Sequence, residues 1–163
     1  MMEARELLEG MRRAAIDIRV LRERRDELEE RTARTRSAPL QDPEMRVQTS
    51  RDISDRMGEA AATLVDMEND IRRLEAIAEA DRRRAAEIFA YFPDSHVGRD
   101  LKQLAMLYFV EPITTEKHGR IAEWHPRSWS EVGDVMHLSH TGIMRRRRRL
   151  FTETEKIIQE RGL

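Results

Sequence analysis

Five consecutive arginines, Arg145 to Arg149, form the densest grouping of chemically competent side chains in this sequence. A guanidinium presents a rigid fork of donors that fits phosphate oxygens and the acceptor edge of guanine, so such a run points to a polyanion, and to double-stranded DNA first. On a helix successive residues step by about 100°, so the five cannot share one face. His140, Thr141, Met144 and Arg145, with Arg148 one turn on, are the candidates for reading base edges. Arg147 and Arg149 suit phosphate contacts, as do Arg127 and the backbone amides at the Ser139 cap. No carboxylate lies between His137 and Thr152 to neutralise the run.

Other chemistries find less support. His137 and His140 lie three apart, with His118 and His125 upstream, but no cysteine or carboxylate stands at metal-ligand spacing. Asp66 and Asp70 share a helical face in a charge-rich stretch, which reads as solvated surface. There is no glycine-rich phosphate loop, nucleophile elbow or Ser/His/Asp constellation. The expectation is a binding protein, not an enzyme, with no cofactor and no metal.

The arginines need a scaffold, and Ser128 to Phe151 supplies one. Ser128 can cap a short helix, with Glu131 completing a capping box. Val132, Val135 and Met136 follow at helical spacing. His137 and Leu138 make a turn, and Ser139 caps a second helix. Leu138 and Ile143 stand where a hydrophobic staple would form. Ile143, Leu150 and Phe151 share one face and leave the polar side chains for the other. Two helices joined so tightly have the layout of a helix-turn-helix whose second helix, residues 139–151, enters a major groove. Gly142 inside that helix costs about 1 kcal/mol against Ala. Trp129 reads as core; Trp124 has no clear place.

The 163 residues suit one domain, or a small domain with an extension. Charged residues make up 37% and aromatics 5%, the mark of long exposed helices around a thin core. Net charge is near -1, so affinity for nucleic acid must come from local clustering. From Glu3 to about Thr32, Leu7, Met11, Ala14, Ile18, Leu21 and Leu28 mark a heptad seam, with Arg25 in a vacant position. Residues 33–52, with Pro39 and Pro43, read as loop. A second seam runs from Ile53 to Phe92, interrupted by Asp81 and stopped by Pro93. The two helices can pair as a hairpin or between chains. Asp94 or Ser95 can cap a third helix reaching Val110. Residues 112–127 look like a connecting loop, or a short hairpin or turn, held by Ile113, Ile121 and Trp124. A last helix runs through Ile157 and Ile158. The absence of cysteines, of an apolar leader and of a membrane-length apolar run suits a cytoplasmic protein without membrane contact.

Two segments resemble a known family. RVQTSRDISDRMGEAAATLVDMENDIRRLE, Arg46 to Glu75, is similar to the middle of small phage and prophage transcriptional regulators. LKQLAMLYFVE followed by SWSEVGDVMHLSHTGIMRRRRRLF resembles their C-terminal module, itself similar to region 4 of sigma-70-type factors and to ArpU-like late regulators. The likeness covers roughly Met1 to Phe151. It departs in about fifteen inserted residues after Glu111, in His137 where the family has Gly, and in Arg146 where it has an apolar residue. The Arg146 stem could run along the core edge.

The expectation is therefore an all-α chain, with residues 1–93 as a coiled-coil hairpin for oligomerisation and 94–163 as a sigma-70 region-4-like DNA-binding domain. The resemblance implies a sequence-specific transcription regulator of phage type, a homodimer on double-stranded DNA. The alternatives are a small terminase-like DNA-packaging protein forming rings, and a sigma-like factor that binds RNA polymerase.

Overall fold

A computed structural model describes the backbone of residues 3–37, 46–117 and 120–162, and the side chains of these except 35–37, 46–54, 117 and 120–122. Two long helices come first, α1 (Ala4–Ser37) and α2 (Arg46–Ala90). A short α3 (His96–Ala105) runs directly into one π-helical turn, Met106–Val110. Strands β1 (Ile113–Lys117) and β2 (Arg120–Pro126) precede α4 (Trp129–Val135) and α5 (His140–Arg161). No helix among the described residues is long and apolar enough to cross a membrane.

Three boundaries differ from the sequence reading. Helical backbone reaches Ser37 and resumes at Arg46, which narrows the loop expected over 33–52; no proline interrupts either flank. Pro39, Asp42, Pro43 and the side chain of Ile53 lie outside the described residues, as do His118 and the side chain of Ile121. The recognition helix assigned to 139–151 continues without a break to Arg161, and Gly162 ends it in the left-handed conformation (φ 68°). Finally, the fold is mostly helical, not all-α. Residues 113–117 and 120–126 form an antiparallel hairpin in which Ile113 pairs with Pro126 and Lys117 with Arg120. Its β-branched Ile113, Thr114 and Thr115 favour strand. A bulge lets β2 advance from Ile121 to His125 while β1 spans only Thr114 to Glu116.

The chain divides into two compact units, Ile18–Glu75 and Met1–Asp17 with Ala76–Leu163, instead of splitting at residues 93 and 94. In the first, α1 and α2 lie antiparallel within one chain. Arg22 pairs with Glu75, and Arg25 with Glu68 at 3.3 Å. Ile18 and Ile71 are buried in the seam, with Leu21, Leu28, Leu64, Met67 and Leu74 half-buried. Arg25 occupies its seam position because the guanidinium bonds Asp26 and Glu68, which raise its pKa further.

The second unit holds one apolar cluster. Leu7, Leu8 and Met11 of α1 join Ile88, Phe89 and Phe92 of α2, Leu101 and Leu104 of α3, Val132 of α4, and Ile143, Leu150 and Ile158 of α5. Phe109, fully buried, meets Tyr108, Trp129 and Phe151 edge-on at 4.9–5.8 Å between centroids. Its presence explains why a 34-residue helix begins in a globular core: Ala4, Leu7, Leu8 and Met11 form a stripe wider than a coiled-coil seam. Thr154 is buried there too, and its hydroxyl has no hydrogen-bond partner among the described residues.

Ser95 caps α3 by accepting from the Gly98 amide at 3.2 Å, and the chain folds back so closely that a Cβ on Gly98 would lie 1.9 Å from the Pro93 carbonyl oxygen. Gly98→Ala should therefore lower stability by about 1–3 kcal/mol, because backbone must move. Gly10 faces open space within a helix. Gly10→Ala should raise stability by about 0.5–1 kcal/mol. Chemical denaturation of both variants checks the pair, and equal shifts in one direction would contradict the packing described.

Candidate nucleic-acid interface

The α4–turn–α5 segment is built by its caps. The Ser128 hydroxyl accepts from the Glu131 amide at 3.3 Å, and the Glu131 carboxylate accepts from the Ser128 amide at 2.8 Å, closing the expected capping box. Burial works against the charge on Glu131, but the Ser128 amide, His125 and the Ser128 hydroxyl outweigh it and hold the carboxyl down at about 2. His125 Nε2 lies 2.6 Å from Glu131 Oε1, which ties the base of the hairpin to the start of α4.

At the other end of α4 the turn is a Schellman motif. His137 donates its amide to Asp134 O at 3.1 Å, and Leu138 donates to Gly133 O at 2.8 Å. His137 takes the left-handed conformation, φ 53°, a region that favours Gly. Gly133 lets the turn close: a Cβ there would stand 3.1 Å from Leu138 O. Ser139 then caps α5, accepting from Gly142 N at 3.2 Å, and Leu138 packs on the cluster that buries Ile143.

An aromatic stack braces the start of α4 against the π turn. Tyr108 and Trp129 lie face to face, centroids 3.6 Å apart and 16° from parallel. The Arg12 guanidinium sits 3.7 Å from the Tyr108 centroid and donates to Tyr108 O (2.7 Å) and Arg127 O (2.8 Å). Burial depresses the Arg12 pKa, with Tyr108 and Glu9 acting the other way. Arg147 lies 5.0 Å over Trp129 and 5.8 Å over Phe151. Trp129 is thus a packing residue, as its sequence position suggested.

The arginine run is divided by helical geometry. Arg146 is held inward by Asp100 of α3, both Nε and Nη2 lying 2.9 Å from Oδ2. Arg147 is drawn onto the aromatic stack. Arg149 is exposed but has Glu153 at 3.8 Å. Arg145 and Arg148 are exposed, and neither has a carboxylate partner among the described residues. With Thr141 and Thr152 they occupy positions i, i+4, i+7 and i+11, one stripe of the helix. His140 is exposed at its start, whereas Met144 is half-buried against the cluster. The Ser139 hydroxyl is engaged by its own helix. Arg127 stands away from the stripe, donating to Glu111 O at 2.7 Å and Leu107 O at 3.5 Å, where it satisfies carbonyls at the end of the π turn.

The structure therefore brings Thr141, Arg145 and Arg148 to one open face, with His140 and Arg149 at its margins, and assigns Arg127 and Arg147 to packing. Sequence reasoning missed Arg12, whose position off the heptad seam was the available signal. It also missed Thr152, the residue just beyond the assigned end of the recognition helix.

Two expectations follow from the caps. Because the Glu131 carboxyl is depressed, its stabilisation is complete above the ordinary carboxylate range near 4 and is lost as pH falls toward about 2. Glu131→Gln keeps an acceptor for Ser128 but not the titration, so the decline in stability over that window should become shallower; an unchanged decline would remove Glu131 from the acid response. His137→Gly should raise the melting temperature, as the left-handed residue loses a strain of about 1 kcal/mol. A comparison with known proteins found no matching family model, no similar curated protein and no similar solved structure.

Proposed function

We propose that this chain is a sequence-specific DNA-binding transcription regulator of the phage and prophage type, its α4–turn–α5 segment acting as a sigma-70 region-4-like helix-turn-helix. The observation that carries the reading is the open stripe Thr141–Arg145–Arg148–Thr152 on the second helix of a doubly capped pair. Both of its arginines lack a carboxylate partner among the described residues. Inserted in a major groove, the first turns of α5 place His140, Thr141 and Arg145 at base edges, with Arg148 a turn behind and Arg149 at the phosphates. The sequence likeness of the C-terminal module to ArpU-like regulators supports the same assignment.

On this reading the protein acts as a homodimer whose recognition helices are spaced about 34–36 Å apart, or a multiple of that, to match one turn of B-DNA. Light scattering separates it from a terminase-like packaging protein, which would form a closed ring. Co-purification with RNA polymerase, kept after Arg145 and Arg148 are both replaced by Ala, would favour the polymerase-binding alternative.

The direct test is selection of bound sequences from a random pool, followed by anisotropy titrations. Arg145→Ala should relax discrimination at one position by about 1–3 kcal/mol. Arg149→Ala should instead weaken all duplexes alike and lower the salt slope by about one. Equal losses for both variants on every duplex would refute this division of roles.

A further inference from the structure

A groove of about 540 Å³ runs beside the exposed stripe of α5. One wall is the start of α1, with Arg5 in its first turn and Glu3 just before it, and the other is α5, with Arg148 and Glu155; Met144 and Phe151 also line it. Glu155 fixes this arrangement. Its Oε2 accepts from the Ala4 amide at 2.8 Å, so a side chain of α5 caps α1, and its Oε1 accepts from Gln159 at 3.3 Å. That carboxylate is already engaged. Arg5, the next residue of α1, is exposed and has no carboxylate partner among the described residues, which is also true of Arg148 opposite. Glu3, also exposed, is the remaining acid of the lining.

We infer that this groove seats the phosphodiester backbone of the duplex read by α5, with Arg5 supplying a phosphate contact from the far wall. The inference rests on the proposed DNA-binding role of α5. Three features select this occupant. Arg148 belongs both to the stripe and to the groove, so a strand flanking a major groove filled by α5 passes directly into it. Guanidinium groups on both walls match a phosphodiester flanked on each side. Met144 and Phe151 offer apolar surface to the sugars between phosphates. The N-terminal helix thereby becomes part of the DNA-binding surface.

The test uses the full chain and compares Arg5→Ala, Glu3→Gln and Arg13→Ala by anisotropy over a range of salt, on a selected and a random-sequence duplex. Arg13 is also exposed on α1 but does not line the groove. Arg5→Ala should weaken both duplexes about 3- to 10-fold and reduce the salt slope by about one. Glu3→Gln should strengthen both, and Arg13→Ala should change neither. Unaltered binding by Arg5→Ala, while the wild-type chain binds and Arg145→Ala loses discrimination, overturns the inference alone and leaves the groove to another occupant, such as an acidic peptide. An equal loss with Arg13→Ala reduces the effect to net charge and overturns it too. A wild-type chain that holds no duplex overturns the reading of α5 and this inference together.

Discussion

Tyr108 and Trp129 are stacked at 3.6 Å, and Trp129 is the first residue of a helix only seven residues long. A helix of that length is not stable in water by itself, because nucleation is costly and only a few internal hydrogen bonds offset it. The position of α4 must therefore come from its caps and from this ring. Tyr108 belongs to the π turn, which also delivers the adjacent Phe109 to Trp129 at 5.8 Å. Arg12 locks the stack from the α1 side while bonding backbone carbonyls before and after the hairpin. Loss of this contact would leave α4, and so the turn into α5, without a reference.

The same stack takes up one of the five arginines, Arg147. A row of five identical residues carries no information about their roles, but the helix separates them at once. Ile143 and Leu150 fix the buried side of α5, which turns Arg146 and Arg147 toward the two edges of the core. One edge offers Asp100, itself only 18% exposed, and the other offers aromatic faces. An arginine beside a core is tolerated only with such a partner, because its charge must be solvated or paired. Arg145 and Arg148 meet no such partner among the described residues. At position 146 the core edge is closed by an ion pair with α3, so the inward-turned guanidinium is met by a compensating acid.

Local signals were legible in the sequence because they act over three or four residues. The capping box at Ser128, the Ser139 cap, the staple from Leu138 to Ile143 and the stop at Pro93 are all of this kind. The intrachain hairpin of long helices was legible as one of two possible pairings. What escaped was set by contacts distant in sequence. Arg127 has the composition of a phosphate ligand, yet its role is decided by the carbonyls of Leu107 and Glu111. The first turn of α1 was read as seam, although Leu8 beside Leu7 already widened the apolar stripe beyond a and d positions. Strands β1 and β2 were legible only as one alternative for residues 112–127, a short hairpin beside a plain loop, because the segment is short and the irregular register at the bulge blurs the two-residue alternation.

The near-zero net charge does not count against the proposed role. Charges beyond about 8–10 Å are largely screened at physiological ionic strength, so a duplex responds to the surface within roughly one screening length. Over the exposed stripe of α5 that surface is cationic, since Arg145 and Arg148 stand there without a carboxylate partner among the described residues. The balancing carboxylates stand mainly on α1 and α2, where many pair with neighbouring arginines, as Glu30 does with Arg34, Glu68 with Arg72 and Glu79 with Arg83. Such exposed pairs contribute little to stability. They do keep the long helices nearly neutral, and a neutral shaft competes weakly for nonspecific DNA. Polarisation of charge along the chain, and not its sum, is then what would confine binding to one helix face.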